Sequence, residues 1–231
     1  MTIQHGYGAA QKLHAERIAQ GWQAVGRKIG FTNRNIWPRY GVYEPIWGTV
    51  YDQTLIVAQG GRATVSLEGL AHPRIEPEIC FGLKSAPPDN RDPEALLAAV
   101  DWVAHAVEVV QCPHPDWRVT LEEATAQNGL HGCLVLGTPI PVADLPGLAE
   151  KLPRLKVVLS KGSAVQDRGV GANVLDSPLF ALAFLAGAVD LSPGELISTG
   201  TLTDAHPVKA GETWRTSFSG LPIAGLTVDF A

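Results

Sequence analysis

Cysteine is scarce in this chain: Cys80, Cys112 and Cys133 are the three present in 231 residues. An odd number at wide spacing offers no disulfide framework, so buried free thiols in a reducing compartment are expected. Basic clusters are also missing. The formal net charge is −5, and no run of Lys and Arg rises above the background, which argues against a nucleic acid or an anionic membrane as partner. Long apolar runs are absent as well. The longest, "PLFALAFLAGAV" from Pro178 to Val189, is too short to span a bilayer. The opening "MTIQHGYGAAQK" has no cationic segment leading into an apolar one, so no secretory signal is expected and a cytoplasmic location is.

No internal repeat, low-complexity tract or linker interrupts the sequence. A single catalytic domain over residues 1–231 is expected, opening with a short helical segment over about 1–25. Hydrophobic residues make up 45% and charged residues 18%, with 24 Gly and 17 Pro; this is a turn-rich globular composition with enough apolar mass for a core.

Residues 9–24 read as a helix with Leu13, Ile18 and Trp22 on its apolar side, and an extended piece begins near Arg27 and closes at Gly30. Asp92–Pro93 is an N-cap and first-turn pair. The helix it starts carries Leu96, Leu97, Val100 and Val103 at helical spacing. Ser177–Pro178 repeats the device for a helix ending near Gly187, and a third helix is expected over residues 120–127. "RLKVVLSKGSAVQD" reads as a hairpin bending at Lys161–Gly162, and "GELISTGTLT", "ETWRTSFSG" and "IAGLTVDF" are further β runs. Many short strands without regular βαβ alternation favour a mostly-β α+β fold with a rolled or barrel-like sheet.

Within that pattern, "RIEPEICFGL" places Glu76 and Glu78 two positions apart in an apolar, β-prone run. In a strand, such residues point to one face with Cα atoms about 6–7 Å apart. Two unpaired carboxylates there repel and lose solvation; a cation between them removes both costs. Glu108 is the acidic residue in a second apolar β run, "HAVEVVQ". Three glutamates with no Cys/His grouping nearby suit a hard, oxygen-seeking ion, Mg²⁺ or Mn²⁺ rather than Zn²⁺. Three protein ligands would leave about three octahedral positions for water or a bidentate substrate. A solvated strand edge, or glutamates paired with lysines, accounts for the same spacing.

The ordered landmarks "GRKIGFTN", "GVYEPIWGTVYD", "IEPEICF", "VEVVQ", "PDWRVTLEEATAQNG", "GVGANVLDSPLFALAFLA" and "GELISTGTLT" resemble the fumarylacetoacetate hydrolase superfamily, in its 2-keto-4-pentenoate hydratase and 4-oxalocrotonate decarboxylase branch. The similarity runs from about Gly26 to the C-terminus. It implies a rolled mixed β-sheet with small flanking helices, usually in homo-oligomers. It also implies one Mg²⁺ or Mn²⁺ on Glu76, Glu78 and Glu108, and a 2-oxo acid substrate that chelates the ion. By the same resemblance Lys28 in "KIGFT" is the acid/base or carboxylate-orienting group; near a metal and in an apolar pocket its pKa is expected to fall towards neutrality. On residues alone it is an ordinary surface lysine. Thr201 in "TGT" is implied to meet the substrate carboxylate, Asn128 in "QNG" to line the pocket, and Tyr51 and Asp52 in "VYD" to lie near it. Their plain counterparts are a strand threonine and a turn asparagine.

The chain departs from the branch after the third glutamate. Val110-Gln111-Cys112-Pro113 stands where hydratases commonly read V-D-S-R, and Ala126-Gln127-Asn128 lacks the acid of "ADN". The resemblance implies a hydratase adding water to a 2-hydroxy-2,4-dienoate to give a 4-hydroxy-2-oxo acid. A decarboxylase or tautomerase on the same site is the alternative. A C–C bond hydrolase is disfavoured because His14 and Glu16 do not match the spacing of the hydrolases' lid pair. A degenerate subunit that binds without catalysis is disfavoured by the presence of Lys28 and all three glutamates.

Overall fold

A computed structural model describes residues 2–231, apart from the side chains of residues 36, 39 and 40. Its helices are α1 (Ile3–Ala19), α2 (Trp37–Tyr40), α3 (Pro93–Ala98), α4 (Leu121–Ala126), α5 (Leu148–Lys151) and α6 (Pro178–Ala188). The first seven strands are β1 (Ala24–Gly30), β2 (Ile46–Tyr51), β3 (Leu55–Val57), β4 (Arg62–Val65), β5 (Arg74–Leu83), β6 (Val100–Val110) and β7 (His131–Leu136). The rest are β8 (Ile140–Pro141), β9 (Lys156–Lys161), β10 (Ala164–Val170), β11 (Leu196–Thr201), β12 (His206–Pro207), β13 (Thr213–Ser219) and β14 (Thr227–Phe230).

The larger sheet runs β2-β1-β11-β5-β6-β7-β3, with β12 added to β5 and β8 to β6; the smaller runs β10-β9-β13-β14-β4. In the larger sheet β1 is parallel to β11 and β3 to β7, and the other pairs are antiparallel. This is the expected mostly-β α+β fold with a curled mixed sheet.

Val107, Val109 and Val135 of the larger sheet pack on Leu159, Trp214 and Val228 of the smaller one. His105 pins the two sheets together. Its Nδ1–H donates to Glu78 O at 2.9 Å, and its Nε2 lies 2.8 Å from Thr216 Oγ1. On the other side Leu179, Leu182 and Leu185 of α6 join Ile79, Phe81 and Ile197 in one cluster, each such burial worth roughly 1.5–3 kcal/mol. The stretch Gly171–Ala188 is apolar, with 56% of it buried in the protein, and the 11-residue α6 within it is a core helix.

The cap pairs are formed: Asp92 accepts from Glu94 N at 3.1 Å, and Ser177 from Leu179 N at 3.3 Å. Thr120 and Glu123 close a capping box on α4. The hairpin is β9–β10. Two expectations need correction. The first helix spans Ile3–Ala19 rather than residues 9–24, and Ile18 is exposed. Its inward side includes Gly6, Tyr7, Ala10, Leu13, His14 and Arg17, so Leu13 faces inward as expected. Gly6 weakens helix propensity, but it is required by close packing: a Cβ there would lie 2.4 Å from Glu122 O of α4. The second correction concerns Val100 and Val103, which lie in β6 and not on α3, because α3 ends at Ala98. Nearly every residue of β6 is buried, and a strand buried on both faces satisfies helical spacing by coincidence.

Candidate active site

β5 carries the first two carboxylates. Its alternation turns Arg74, Glu76 and Glu78 to one face, and the β5–β6 register sets Glu76 directly opposite Glu108. Carboxylate oxygens of Glu76, Glu78 and Glu108 thereby lie within 4.8 Å of one another. Pro77 sits in a central strand, where a missing N–H normally costs a ladder bond. Here the neighbouring β11 bulges between Ser198 and Thr201, and Pro77 contributes its carbonyl, which accepts from Leu202 N at 2.8 Å.

The bulge also serves Glu78. Its Oε2 accepts from Ser198 Oγ at 2.6 Å and from Gly200 N at 2.9 Å. Gly200 adopts φ +100°, and a Cβ on it would fall 2.0 Å from Thr32 Oγ1, so the position admits glycine alone without strain. The other oxygen, Glu78 Oε1, is buried with no hydrogen-bond partner among the described residues.

Glu108 is held from two sides. His131 Nδ1–H donates to Oε1 at 2.7 Å, and His131 Nε2 lies 2.9 Å from Thr54 Oγ1. The Lys28 ammonium lies 3.0 Å from Oε2, a buried ion pair. Lys28 reaches the site from β1 and also donates to Gly129 O at 2.8 Å. That carbonyl is presented by three successive left-handed residues, Asn128, Gly129 and Leu130, at φ 56°, 67° and 61°.

Electrostatics follow from this crowding. Burial and the Glu108 charge push Glu76 up to about 7. Burial, Glu108 and Glu76 push Glu78 well above the carboxylate range. Burial would raise Glu108 too, but Lys28 and His131 outweigh it and hold this group below its ordinary value. For Lys28, burial pulls the pKa down, yet Glu108, Glu76 and Glu78 together hold it above the usual lysine value. Without a cation, three carboxylates face one ammonium, so the conditions for the fall expected beside a bound metal are not met in this site.

The donor set fits a hard divalent ion. Ligand oxygens on one such ion sit about 2.0–2.6 Å from it, hence no more than about 4–5 Å apart. The carboxylate spacing and the unpartnered Glu78 Oε1 meet that demand.

Glu76 opens onto a cavity that Lys28, Thr201 and Asp204 also line; Glu78 and Glu108 lie wholly buried behind it. Thr201 reaches the cavity, although its hydroxyl donates to Thr203 O at 3.0 Å. The other three expected site residues stand further out. Asn128 has its amide tied to β2, donating to Thr49 O at 2.8 Å and accepting from Thr49 N at 2.7 Å. Tyr51 OH meets His14 Nδ1 at 2.9 Å, and Asp52 accepts from Gln23 N and Gln53 N, both at 2.9 Å. None of these three lines the cavity with Lys28 and Glu76. His131, Ser198 and Gly200 were not anticipated. A signal existed for two of them, because Ser-Thr-Gly-Thr in a wholly buried strand is polar content that needs partners.

The fumarylacetoacetate (FAA) hydrolase C-terminal family pattern matches residues 45–229. A 2-keto-4-pentenoate hydratase of Paraburkholderia xenovorans (strain LB400) is 32% identical over 229 residues, 96% of this chain and 82% of that protein. A 2-hydroxyhexa-2,4-dienoate hydratase of Comamonas testosteroni is 29% identical over 233 residues, 96% of this chain and 84% of that protein. Among solved structures, a 4-oxalocrotonate decarboxylase from Pseudomonas putida G7, complexed with magnesium and adipate, superposes with a TM-score of 0.88 at 28% identity, covering 100% of this chain and 87% of that one. The pattern match and the near full-length relatives agree with the carboxylate geometry: the chain belongs to the fumarylacetoacetate hydrolase family.

Proposed function

We propose that this protein is a divalent-metal-dependent hydro-lyase, which adds water to a 2-hydroxy-2,4-dienoate to give a 4-hydroxy-2-oxo acid. Glu76, Glu78 and Glu108 hold Mg²⁺ or Mn²⁺, and Lys28 is the catalytic residue. The observation that carries this is the convergence of three carboxylates within 4.8 Å on a cavity that Lys28 lines. The hydratase names of the relatives support the reaction.

The bound cation supplies Lewis-acid stabilisation of negative charge on a 2-oxy carboxylate end. Lys28 carries three N–H donors; Gly129 O takes one and the Glu108 charge holds another, which leaves one for the cavity. Protonated in the metal-free site and lining the cavity, it would orient the substrate carboxylate or hold the proton exchanged in the dienol-to-ketone step that precedes water addition. Thr201, at the cavity wall, would meet the substrate carboxylate by turning its hydroxyl from Thr203 O, while Asn128, Tyr51 and Asp52 support the strands beneath.

In solution, metal-supplemented protein should consume the dienoate absorbance and yield a 4-hydroxy-2-oxo acid. Glu78→Gln and Glu108→Gln should each lower kcat/KM by about 10³-fold or more. Undiminished turnover in both variants would sink the assignment. A second function, decarboxylation of a 2-oxo acid, is favoured by the likeness to the decarboxylase structure; release of CO₂ in place of hydration would select it. The enzyme is further proposed to be soluble, cytoplasmic and a homo-oligomer, with Tyr43, Val57 and Val165 among its exposed apolar side chains. A monomer by analytical ultracentrifugation would contradict the last point.

A further inference from the structure

Much of the cavity lining is apolar. Phe31, Trp117 and Leu130 contribute to it, each with its backbone in the left-handed region at φ 55°, 57° and 61°. Thr201, Asp204 and Ala205 line the cavity from a single connection, the one that leads out of β11 and into β12.

That connection is a turn closed on itself. Thr201 Oγ1 donates to Thr203 O at 3.0 Å and accepts from Thr203 N at 3.3 Å. Thr203 Oγ1 in turn donates to Asp204 O at 2.8 Å. Thr203 is buried. When the Thr201 hydroxyl swings to a substrate carboxylate, a buried carbonyl therefore loses its donor. From then on the turn depends on what holds it from outside.

Those outer holds are specific. Leu202 N donates to Pro77 O at 2.8 Å, and Asn173 Nδ2 donates to Leu202 O at 2.8 Å. Asp204 N donates to Asp167 Oδ2 at 3.1 Å, and His206 Nε2–H donates to the same oxygen at 2.8 Å. Asp167 belongs to β10 of the smaller sheet and does not itself line the cavity. Its Oδ1 accepts from Arg168 N at 2.7 Å. Burial would raise the Asp167 carboxyl, but the bonds from His206, Arg168 and Asp204 outweigh it and hold the group below its ordinary value. It is ionised at neutral pH, and hydrogen bonds to an ionised acceptor are roughly twice as strong as neutral ones.

We propose that Asp167 is a positioning residue for substrate binding: from the smaller sheet it fixes the Thr201–His206 turn, so that the Thr201 hydroxyl can leave Thr203 O for the substrate carboxylate without the cavity wall giving way. This rests on the 2-oxy acid function proposed above and extends that site to a residue outside the larger sheet. While the hydroxyl stays on Thr203 O, the turn braces itself. Once substrate engages it, the brace is Asp167, so loss of Asp167 should be felt in substrate affinity and not in metal affinity.

Calorimetric titration of 2-oxopentanoate into the Mn²⁺-loaded protein reads this without turnover. Asp167→Ala should weaken the acid by about tenfold, as expected for one charge-assisted hydrogen bond, and leave Mn²⁺ affinity within about twofold. Asp167→Asn keeps an oxygen for Asp204 N and should lose about threefold; it carries the test if the alanine variant does not fold. Thr201→Val has no hydroxyl to turn and should weaken the acid by itself, and adding Asp167→Ala to it should change little further. Wild-type affinity in the Asp167 variants, a loss that adds in full to that of Thr201→Val, or equal weakening of acid and Mn²⁺ would overturn the proposal. A Thr201→Val variant that binds the acid as the wild type does would refute the Thr201 contact and the action of Asp167 through it, while leaving the 2-oxo acid site in place. A wild type that binds no 2-oxopentanoate would overturn that site and this proposal together. The expected pattern of affinities without dienoate turnover would leave the proposal standing and refute only the hydration chemistry.

Discussion

Glu78 and Glu108 are carboxylates with no exposure to solvent, and each is made tolerable by different neighbours. Glu108 is compensated by Lys28 and His131. Among the described residues Glu78 receives hydrogen bonds on one oxygen only, and in the absence of a cation it retains its proton, as Glu76 does up to about pH 7. Metal must displace those protons, so affinity should rise with pH by about tenfold per unit, for each proton displaced, as pH climbs towards 7. The sign for the metal-free protein is the reverse. A raised carboxylate pKa stabilises the fold fully below about 4.5, and that contribution is lost as pH rises through about 7 for Glu76. Thermal unfolding with and without Mn²⁺ at pH 6 and pH 8 should show the larger metal-induced rise in Tm at pH 8; an equal rise would contradict the proton competition.

His131 works through Glu108, orienting Oε1 so that Oε2 faces Lys28. His131→Ala should therefore weaken Mn²⁺ binding by about 10–100-fold while leaving the fold intact. Calorimetric titration checks this, and unchanged affinity would mean the histidine only fills space.

At the scale of elements, β5 and β11 form a matched pair. Pro77 interrupts one strand and the Ser198–Thr201 bulge interrupts its partner, so the irregularities coincide and hand a backbone N–H to Glu78. Gly200→Ala should cost about 1–3 kcal/mol through the left-handed φ alone, and it should also lower metal affinity because the Gly200 N–H moves off Glu78. Chemical denaturation together with Mn²⁺ titration separates the two effects, and a variant as stable as wild type would show that the φ is not enforced.

The elements also show why some features were legible in the sequence and others were not. The two-residue spacing of Glu76 and Glu78 reports a strand face directly, and the Asp92–Pro93 and Ser177–Pro178 caps mark their helices, because these signals are local. Whether Val100 and Val103 continue α3 or enter β6 depends on strands β5 and β7 on either side, which local spacing does not encode. Tyr51, Asp52 and Asn128 were placed near the pocket by resemblance, yet their polar groups are engaged in holding β2 and the N-terminal segment. His131 and Trp117 gave no signal, since one heads an ordinary apolar strand and the other owes its direction to a left-handed φ.

For the molecule as a whole, the two sheets meet at a neutral histidine. Burial pulls His105 down to about 4, so the unfolded chain takes up a proton near its ordinary value before the folded protein does. Stability from this group is present above about pH 6.5 and lost as pH falls towards 4, amounting to roughly 3 kcal/mol for a shift of this size. His105→Gln should flatten the loss of stability between pH 6.5 and 4. A denaturation series over that interval checks the slope, and an unaltered one would place the acid sensitivity elsewhere.

The same fold brings the carboxylates of β5 and β6 together with Lys28 of β1 at one cavity, and the proposed reaction depends on a cation bound there. Calorimetric titration of Mn²⁺ into metal-free wild-type protein and Glu78→Gln at pH 8 reads that dependence. The wild type should take up one ion per chain, and the variant should bind at least 100-fold more weakly or not measurably. A variant that binds Mn²⁺ as the wild type does, or a wild type that binds none, would contradict it.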